Sequence, residues 1–135
     1  MMKVSKNRLA AADNRFQCFD KFPRLLTVCS AGILRSPTAA VVLSQAPYSY
    51  NTRACGTDID FALTPIDPVL LQWADIIVTM SLTQKVAVQE YVEEWEIVGE
   101  KQIFNFEIPD SYDYRDPELI ELIKRKAEYY GLVNE

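Results

Sequence analysis

The spacing of apolar residues along the chain predicts strands that alternate with helices. Short apolar runs bounded by Gly, Pro, Asp or Ser predict four strands, at residues 24–28, 50–55, 75–80 and 101–105. Apolar residues at helical spacing follow each run and predict four helices, at residues 37–45, 67–74, 81–95 and 116–130. This order favours a three-layer α/β/α domain around a central, mainly parallel sheet of four strands.

Capping residues mark where the predicted helices begin. Ser36, Asp67 and Asp116 each precede a proline, and a proline suits the first helical position. Ser81 stands three residues before Gln84, which is the spacing of a capping box.

The first 22 residues precede this pattern. Leu9, Ala12, Phe16 and Phe19 follow one another at helical spacing, with no breaker before residue 23. We expect residues 1–22 to form a short helix that packs, as an N-terminal extension, on a domain of residues 23–135. Trp73 and Trp95 are expected in the core of that domain.

Length and composition suit one soluble domain. The chain has 135 residues, of which 49% are hydrophobic and 24% charged, and it contains no apolar run as long as a membrane span. The first residues lack the apolar stretch of a secretory signal, so we expect a reducing, cytoplasmic location. Cys18, Cys29 and Cys55 are then thiols without metal-binding spacing, and the absence of histidine excludes histidine-based catalysis. We expect no metal and no cofactor.

The charge is unevenly distributed. Residues 1–24 carry six Lys or Arg against two Asp, whereas the whole chain has a net charge of −5. An acidic body argues against nucleic acid as a general partner, because such proteins present a basic surface. The basic N-terminal segment leaves a small contact with nucleic acid or a membrane surface open.

The stretch from Leu25 to Ala40 runs from a strand through a short loop into a helix, with Cys29 at the bend. Backbone amides in such a loop converge on one point, and the helix directs its free N–H groups and positive dipole end there. The same loop supplies a thiol at Cys29, a guanidinium at Arg35 and a hydroxyl at Ser36. A nucleophile beside an anion clamp predicts a phosphate-transfer site.

Each of these side chains has an expected role. Cys29 is the candidate nucleophile, and the helix and Arg35 should stabilise its thiolate. Ser36 can donate its proton to that thiolate. The rest of the loop is expected to hold the phosphate through its amides; it consists of Ser30, Ala31, Gly32, Ile33 and Leu34. The structural alternatives are a merely buried Cys29 and a Ser36 that only caps the helix.

Four motifs together resemble the low-molecular-weight protein tyrosine phosphatases. Cys29–Pro37 is similar to the phosphate loop of that family, and Ala54–Thr57 resembles the motif after its second strand. Ala74–Met80 resembles its Ala-Asp-hydrophobic-Met strand, and Ile108–Tyr112 resembles its acid loop. The similarity covers about residues 24–130 in the right order, and it is greatest to a compact branch of predicted phosphatases.

The resemblance implies a phosphotyrosine phosphatase I-like fold and a covalent mechanism without metal. Cys29 would form a cysteinyl phosphate, and Asp110 would protonate the leaving oxygen of a phosphotyrosine protein or a small aryl phosphate. Tyr112 corresponds to the tyrosine of the pocket wall, and exposure in a loop is its structural alternative. Asp113 and Asp116 share the acid loop; a solvated loop residue and a helix cap are their simplest roles.

Two other functions remain possible from the sequence. Thiol-dependent arsenate reductases share the fold and loop by resemblance, but they need relay cysteines, for which only Cys18 and Cys55 are present. A non-catalytic phosphate-binding module is the other, because Ala31 and Gly32 replace the Gly and Asn of the family's loop.

Overall fold

In the part of the chain that the structure describes, four strands and four helices form in the order predicted. The computed structural model of the chain describes residues 23–30, 35–60, 62, 64–109, 111–112 and 114–133. The strands are β1 (Arg24–Cys29), β2 (Asn51–Gly56), β3 (Ile76–Thr79) and β4 (Gln102–Asn105). The helices are α1 (Arg35–Ser44), α2 (Pro68–Trp73), α3 (Leu82–Glu94) and α4 (Pro117–Tyr129). The expected N-terminal helix lies outside the described residues.

The sheet has the order β2-β1-β3-β4, and all of its strand pairs are parallel. Parallel neighbours need crossover connections, which here are helices, so the carboxyl ends of all four strands lie at one edge. Cys29 is paired with Gly56 at that edge. This arrangement confirms the predicted three-layer α/β/α fold with a four-stranded parallel sheet.

Helices cover both faces of the sheet, because alternate residues of β1 point to opposite sides. Leu25 belongs to a core with residues of α1 and α4, whereas Leu26 belongs to a core with residues of α2 and α3. Burial of both faces explains why β1 and β3 have nearly continuous apolar sequences. Within the described part of the chain, no helix combines the length and apolar character needed to cross a membrane.

The structure corrects one predicted helix start and one predicted capping hydrogen bond. Helix α1 begins at Arg35, two residues before Pro37, so Ser36 lies inside the helix and does not cap it. Its hydroxyl donates instead to the carbonyl of Cys55. Ser81 is the N-cap residue of α3, but its side chain makes no capping hydrogen bond.

Asp67 and Asp116 cap α2 and α4 as predicted. The side chain of Asp67 accepts a hydrogen bond from the amide of Leu70, and that of Asp116 accepts one from the amide of Glu118. Each carboxylate thereby satisfies a free amide in the first turn of its helix.

Candidate active site

Cys29 is the last residue of β1 and is only 3% exposed. The chain around it is held by backbone hydrogen bonds from the segment after β2. The carbonyl of Cys29 accepts from the amide of Thr57 at 2.8 Å, and the carbonyl of Ser30 accepts from the amide of Asp58 at 2.9 Å. The backbone at Cys29 and Ser30 is therefore fixed by the sheet and by the segment that follows β2.

Ser36 connects the thiol of Cys29 to the neighbouring strand. The Cys29 thiol donates to the Oγ atom of Ser36 at 3.1 Å, and the Ser36 hydroxyl donates to the carbonyl of Cys55 at 3.1 Å. A hydroxyl has one proton. When Cys29 is a thiolate, its sulfur can only accept, so a hydrogen bond from Ser36 to the thiolate requires the Ser36 proton to turn towards the sulfur and leave the carbonyl of Cys55.

The backbone of Ser36 is fixed as firmly as its side chain. Thr27, on β1, donates its hydroxyl to the carbonyl of Ser36 at 2.6 Å. Both residues are fully buried. A buried hydroxyl that bonds to a helix carbonyl holds the first turn of α1 against the strand, and so holds Ser36 beside Cys29.

Arg35 is the first residue of α1, and its guanidinium joins the two loops of the site. Only 5% of the residue is exposed, and its Nη1 atom donates to the carbonyl of Ile108 at 2.7 Å. A guanidinium has five N–H donors in a planar fork, a geometry that can bond to a carbonyl and to an oxyanion at the same time. The arginine can therefore orient an anion while it holds the Ile108 segment.

The beginning of α1 adds a favourable electrostatic environment for an anion. The helix begins six residues after Cys29, and its first turn contains no acidic residue to offset the positive dipole end. The loop residues Ala31, Gly32, Ile33 and Leu34 lie outside the described residues, so their predicted phosphate contacts stay a prediction.

Gln84 is a further polar residue of the site, which the sequence did not identify as such. It is 1% exposed, its Oε1 atom accepts from the amide of Met80 at 2.9 Å, and its Nε2 atom donates to the Oγ atom of Ser30 at 3.1 Å. The amide therefore connects the end of β3 to the residue after Cys29. The capping-box spacing singled out Gln84 but predicted a different hydrogen bond.

The segment after β4 leads towards the predicted acid. The amide of Phe106 donates to the carbonyl of Thr79, and that of Ile108 donates to the carbonyl of Met80, both at 2.8 Å. These bonds continue the parallel pairing beyond the strands and fix the chain up to two residues before Asp110. Asp110 itself lies outside the described residues.

The rest of the acid loop is described in part. Tyr112 is half-buried and packs against the core shared with α1 and α4. Asp116 has the capping role already described, whereas Asp113 lies outside the described residues. Arg115 donates its amide to the hydroxyl of Thr38 at 2.8 Å, which joins the end of this loop to α1.

These contacts bring Cys29, Ser30, Arg35 and Ser36 together at the carboxyl edge of the sheet, where ligands bind in open α/β folds. The groups available are a thiol, a cationic guanidinium and a helix N-terminus, and these groups suit the transfer of an oxyanion group such as phosphate. Among the described residues, no three Cys, Asp or Glu side chains converge as metal ligands would.

Solved structures share this architecture. The tyrosine phosphatase Wzb from Escherichia coli K30, in complex with phosphate, matches with a TM-score of 0.62 and 18% identity, over 81% of this chain and 96% of Wzb. The chain has the fold of the low-molecular-weight tyrosine phosphatases. No protein-family model and no curated protein sequence matches it.

Two further structures with this phosphatase fold carry other activities. The arginine phosphatase YwlE from Geobacillus stearothermophilus matches with a TM-score of 0.56 and 21% identity, over 81% of this chain and 93% of YwlE. A thioredoxin-dependent arsenate reductase from Corynebacterium glutamicum matches with a TM-score of 0.52 and 17% identity, over 96% of this chain and 69% of the reductase.

Proposed function

We propose that the chain is a cysteine-dependent phosphatase that hydrolyses phosphomonoesters, with phosphotyrosine in proteins as the first candidate substrate. The observation that carries the proposal is the bond between Cys29 and Ser36 in the first turn of α1, the helix that begins at the buried Arg35. A merely structural cysteine needs neither a hydroxyl partner nor an arginine at the start of the same helix. The phosphatase fold supports the same function.

The proposed reaction proceeds in two steps. The Cys29 thiolate attacks phosphorus in line, the S–P bond forms, and the bond from phosphorus to the leaving oxygen breaks as Asp110 gives that oxygen a proton. Water then attacks phosphorus and loses a proton to Asp110, the S–P bond breaks, and inorganic phosphate leaves. Arg35 and the amides of the loop stabilise the oxygens that gain charge in both steps.

Ser36 would supply the hydrogen bond that changes during this cycle. Its proton bonds to the thiolate before attack and returns to the carbonyl of Cys55 once the sulfur is bound to phosphorus. Tyr112 would form a wall for the aromatic ring of the substrate, on the side where the acid loop meets α1. The proposal includes a cytoplasmic location, in which Cys29 remains reduced.

The burial of Cys55 argues against the alternative function, an arsenate reductase. Such a mechanism needs a second accessible thiol, but Cys55 is fully buried, and burial raises its pKa well above the ordinary value. Cys18 lies outside the described residues. If the chain is an arsenate reductase, arsenate reduction should depend on Cys18 or Cys55. If it is a phosphatase, phosphate-ester hydrolysis should need neither cysteine.

Hydrolysis of an aryl phosphate by the full chain tests the proposal. We expect Cys29→Ser to lower kcat by at least about 1,000-fold, and the matched control Cys55→Ala to keep most of the activity. Hydrolysis that survives Cys29→Ser rejects the covalent mechanism. Binding of phosphate without any hydrolysis by the wild-type chain would show a phosphate-binding module instead.

A panel of substrates separates the chemical classes. Phosphotyrosine and phosphoserine peptides should be hydrolysed in that order of preference, if Tyr112 contacts an aromatic ring. Phosphoarginine peptides belong in the panel because an arginine phosphatase shares the fold. A preference for phosphoarginine over phosphotyrosine would retain the cysteine mechanism but contradict the proposed substrate class.

A further inference from the structure

A second concave site lies at the amino-terminal ends of the strands, whereas Cys29 lies at their carboxyl ends. It is an open cleft of about 540 Å³, which is within the size range of small-ligand pockets. Its lining includes Arg24, Pro68, Val69, Trp73, Trp95 and Ile97. Arg24 and Cys29 are the two ends of β1, and five strand steps place them about 17 Å apart. The cleft is therefore separate from the candidate active site.

The walls of the cleft are held in place by their own contacts. The side chain of Gln72 makes two hydrogen bonds to the backbone of Val98, at 2.9 and 3.1 Å, which fix the segment after α3. The guanidinium of Arg53 lies 4.7 Å from the ring centre of Trp73, and Tyr91 stacks on Trp95. These contacts hold both walls of the cleft in place.

The sequence predicted both tryptophans in the core, and this is only partly correct. Trp73 and Trp95 do pack against the core beneath α2 and α3, but both are half-buried and both line the cleft. Val69, on the same wall, is 37% exposed. An aromatic and aliphatic surface of this kind is suited to an apolar side chain, and especially to an aromatic ring.

Residues 1–22 lie immediately before Pro23 and the cleft residue Arg24 in the sequence. They join the domain at Pro23, next to Arg24, which lines the cleft. Phe19 stands four residues before Pro23 and Phe16 seven, so extended chain allows them about 14 and 24 Å of reach. Both distances are enough to cover a cleft that begins at Arg24.

The N-terminal segment is basic, and the stretch of chain on the α3 side of the cleft is acidic. Residues 1–22 contain five Lys or Arg against two Asp. Residues 90–100, which include the cleft residues Trp95 and Ile97, contain five Glu and no Lys or Arg. These glutamates include the exposed Glu94 and Glu96 on either side of Trp95. Opposite charges around an apolar contact favour association and fix its orientation.

We propose that this cleft binds the chain's own N-terminal segment, with Phe16 and Phe19 seated against Trp73 and Trp95. The connection through Pro23 makes the contact intramolecular, which gives the segment a high effective concentration at the cleft. The contact covers apolar surface at the edge of the sheet away from Cys29, so it stabilises the domain and leaves the candidate active site open. This inference does not depend on the proposed phosphatase activity.

A cross-linking experiment on the full chain tests the proposal, because Cys18 lies between the two phenylalanines. In the Val69→Cys variant, a short thiol-reactive cross-linker should join position 69 to Cys18 within one molecule. The matched control is Leu82→Cys. Leu82 is 65% exposed and begins α3, about 20 Å along the helix from Trp95.

We expect the yield of the intramolecular cross-link to Cys18 to be at least about tenfold higher for position 69 than for position 82. Peptide masses identify the cross-linked positions, and high salt should reduce the yield at position 69. Equal yields at both positions would overturn the proposal. Cross-links between molecules, with a yield that rises with protein concentration, would also overturn it and would indicate that a second copy occupies the cleft.

Tryptophan fluorescence gives a second readout without new cysteines. The chain has two tryptophans and both line the cleft, so its emission reports on this site alone. The variant Phe16→Ala/Phe19→Ala should shift the emission to longer wavelength and increase quenching by acrylamide. Tyr129→Ala, which truncates an aromatic side chain that is 80% exposed, should change neither. Unchanged emission and quenching in the double variant would contradict the proposal.

Discussion

The Sγ atom of Cys29 and the Oγ atom of Ser36 lie 3.1 Å apart. The same hydroxyl bonds to the carbonyl of Cys55, also at 3.1 Å, so its single proton has two competing acceptors once the thiol ionises. A hydrogen bond from Ser36 to the thiolate therefore requires a rotation of the Ser36 hydroxyl away from Cys55.

Replacement of Ser36 by alanine should slow the enzyme without unfolding it. A hydrogen bond to a charged group contributes about 1.5–3 kcal/mol, which corresponds to a decrease of roughly 10- to 100-fold in kcat for aryl phosphates. The control is Ser44→Ala, on the same helix, whose hydroxyl donates to the carbonyl of Val41. If Ser36→Ala and Ser44→Ala have equal rates, Ser36 has no part in catalysis.

Arg35 should not tolerate replacement by lysine. Lysine keeps the charge but loses the planar fork that can hold Ile108 and an oxyanion together. We expect Arg35→Lys to lower kcat/KM by about 100- to 1,000-fold, as for loss of other transition-state donors. Arg125→Lys, at an exposed position of α4, is the control. A change of less than threefold in Arg35→Lys would contradict this role.

Asp110 and Asp116 should respond differently to the change to asparagine. Asp110→Asn should slow the hydrolysis of substrates with poor leaving groups far more than that of substrates with good ones, because the acid is needed only where the leaving oxygen is basic. Asp116→Asn should leave this dependence intact, since the Asp116 side chain caps α4 and asparagine is also a good cap. If Asp116→Asn changes the dependence on the leaving group, the acid is assigned wrongly.

Gln84 should contribute to both stability and substrate binding. In Gln84→Ala the amide of Met80 loses its acceptor and Ser30 loses a donor, at a cost of about 1–3 kcal/mol in the free energy of unfolding. The KM for aryl phosphates should rise as Ser30 is released. Gln89→Ala, on the exposed side of the same helix, should change neither quantity. Urea unfolding and steady-state kinetics measure the two effects, and an unchanged KM would leave Gln84 with a structural role only.

Tyr48 should make the fold sensitive to alkali. Its hydroxyl donates to Glu128 at 3.2 Å, and burial together with this carboxylate raises the pKa of Tyr48 from 10.0 to about 12. The folded state thus favours the neutral phenol, so this stabilisation is complete below the unfolded pKa near 10 and is lost as the pH rises through 12.

The Tyr48→Phe variant removes that pH dependence. Urea unfolding of the wild-type chain should show a falling stability in this alkaline range, and Tyr48→Phe should have a flatter curve after a loss of about 1 kcal/mol at neutral pH. Tyr114→Phe, at a position that is 49% exposed, is the control. Parallel curves for wild type and Tyr48→Phe would show that another group causes the alkaline loss.

The fold and the location of the site could be predicted from the sequence because local signals agree with the global arrangement. Apolar runs marked the buried strands, and Asp67 and Asp116 marked two helix starts that the structure confirms. Cys29 could be placed at the carboxyl edge because parallel connections bring all strand ends there. Such features depend on residues close together in the sequence.

The contacts that complete the site could not be predicted in the same way. The sequence predicts Ser36 at a helix boundary, but α1 starts one residue earlier, at Arg35. The hydroxyl of Ser36 instead donates a hydrogen bond to the carbonyl of Cys55, which is 19 residues away in the sequence. Gln84 bonds to Ser30 across 54 residues, and Arg35 bonds to Ile108 across 73. These partners depend on the order of strands in the sheet, which no local pattern encodes.

The most direct test of the account is to trap the covalent intermediate. The full chain is mixed with an aryl phosphate, quenched within the first turnovers, digested and analysed by mass spectrometry for phosphorylated peptides. We expect phosphate on the Cys29 peptide, with a burst of the aryl product equal to the amount of phosphorylated enzyme. Hydrolysis that proceeds with no phosphate on Cys29, or with phosphate on another residue, would contradict it.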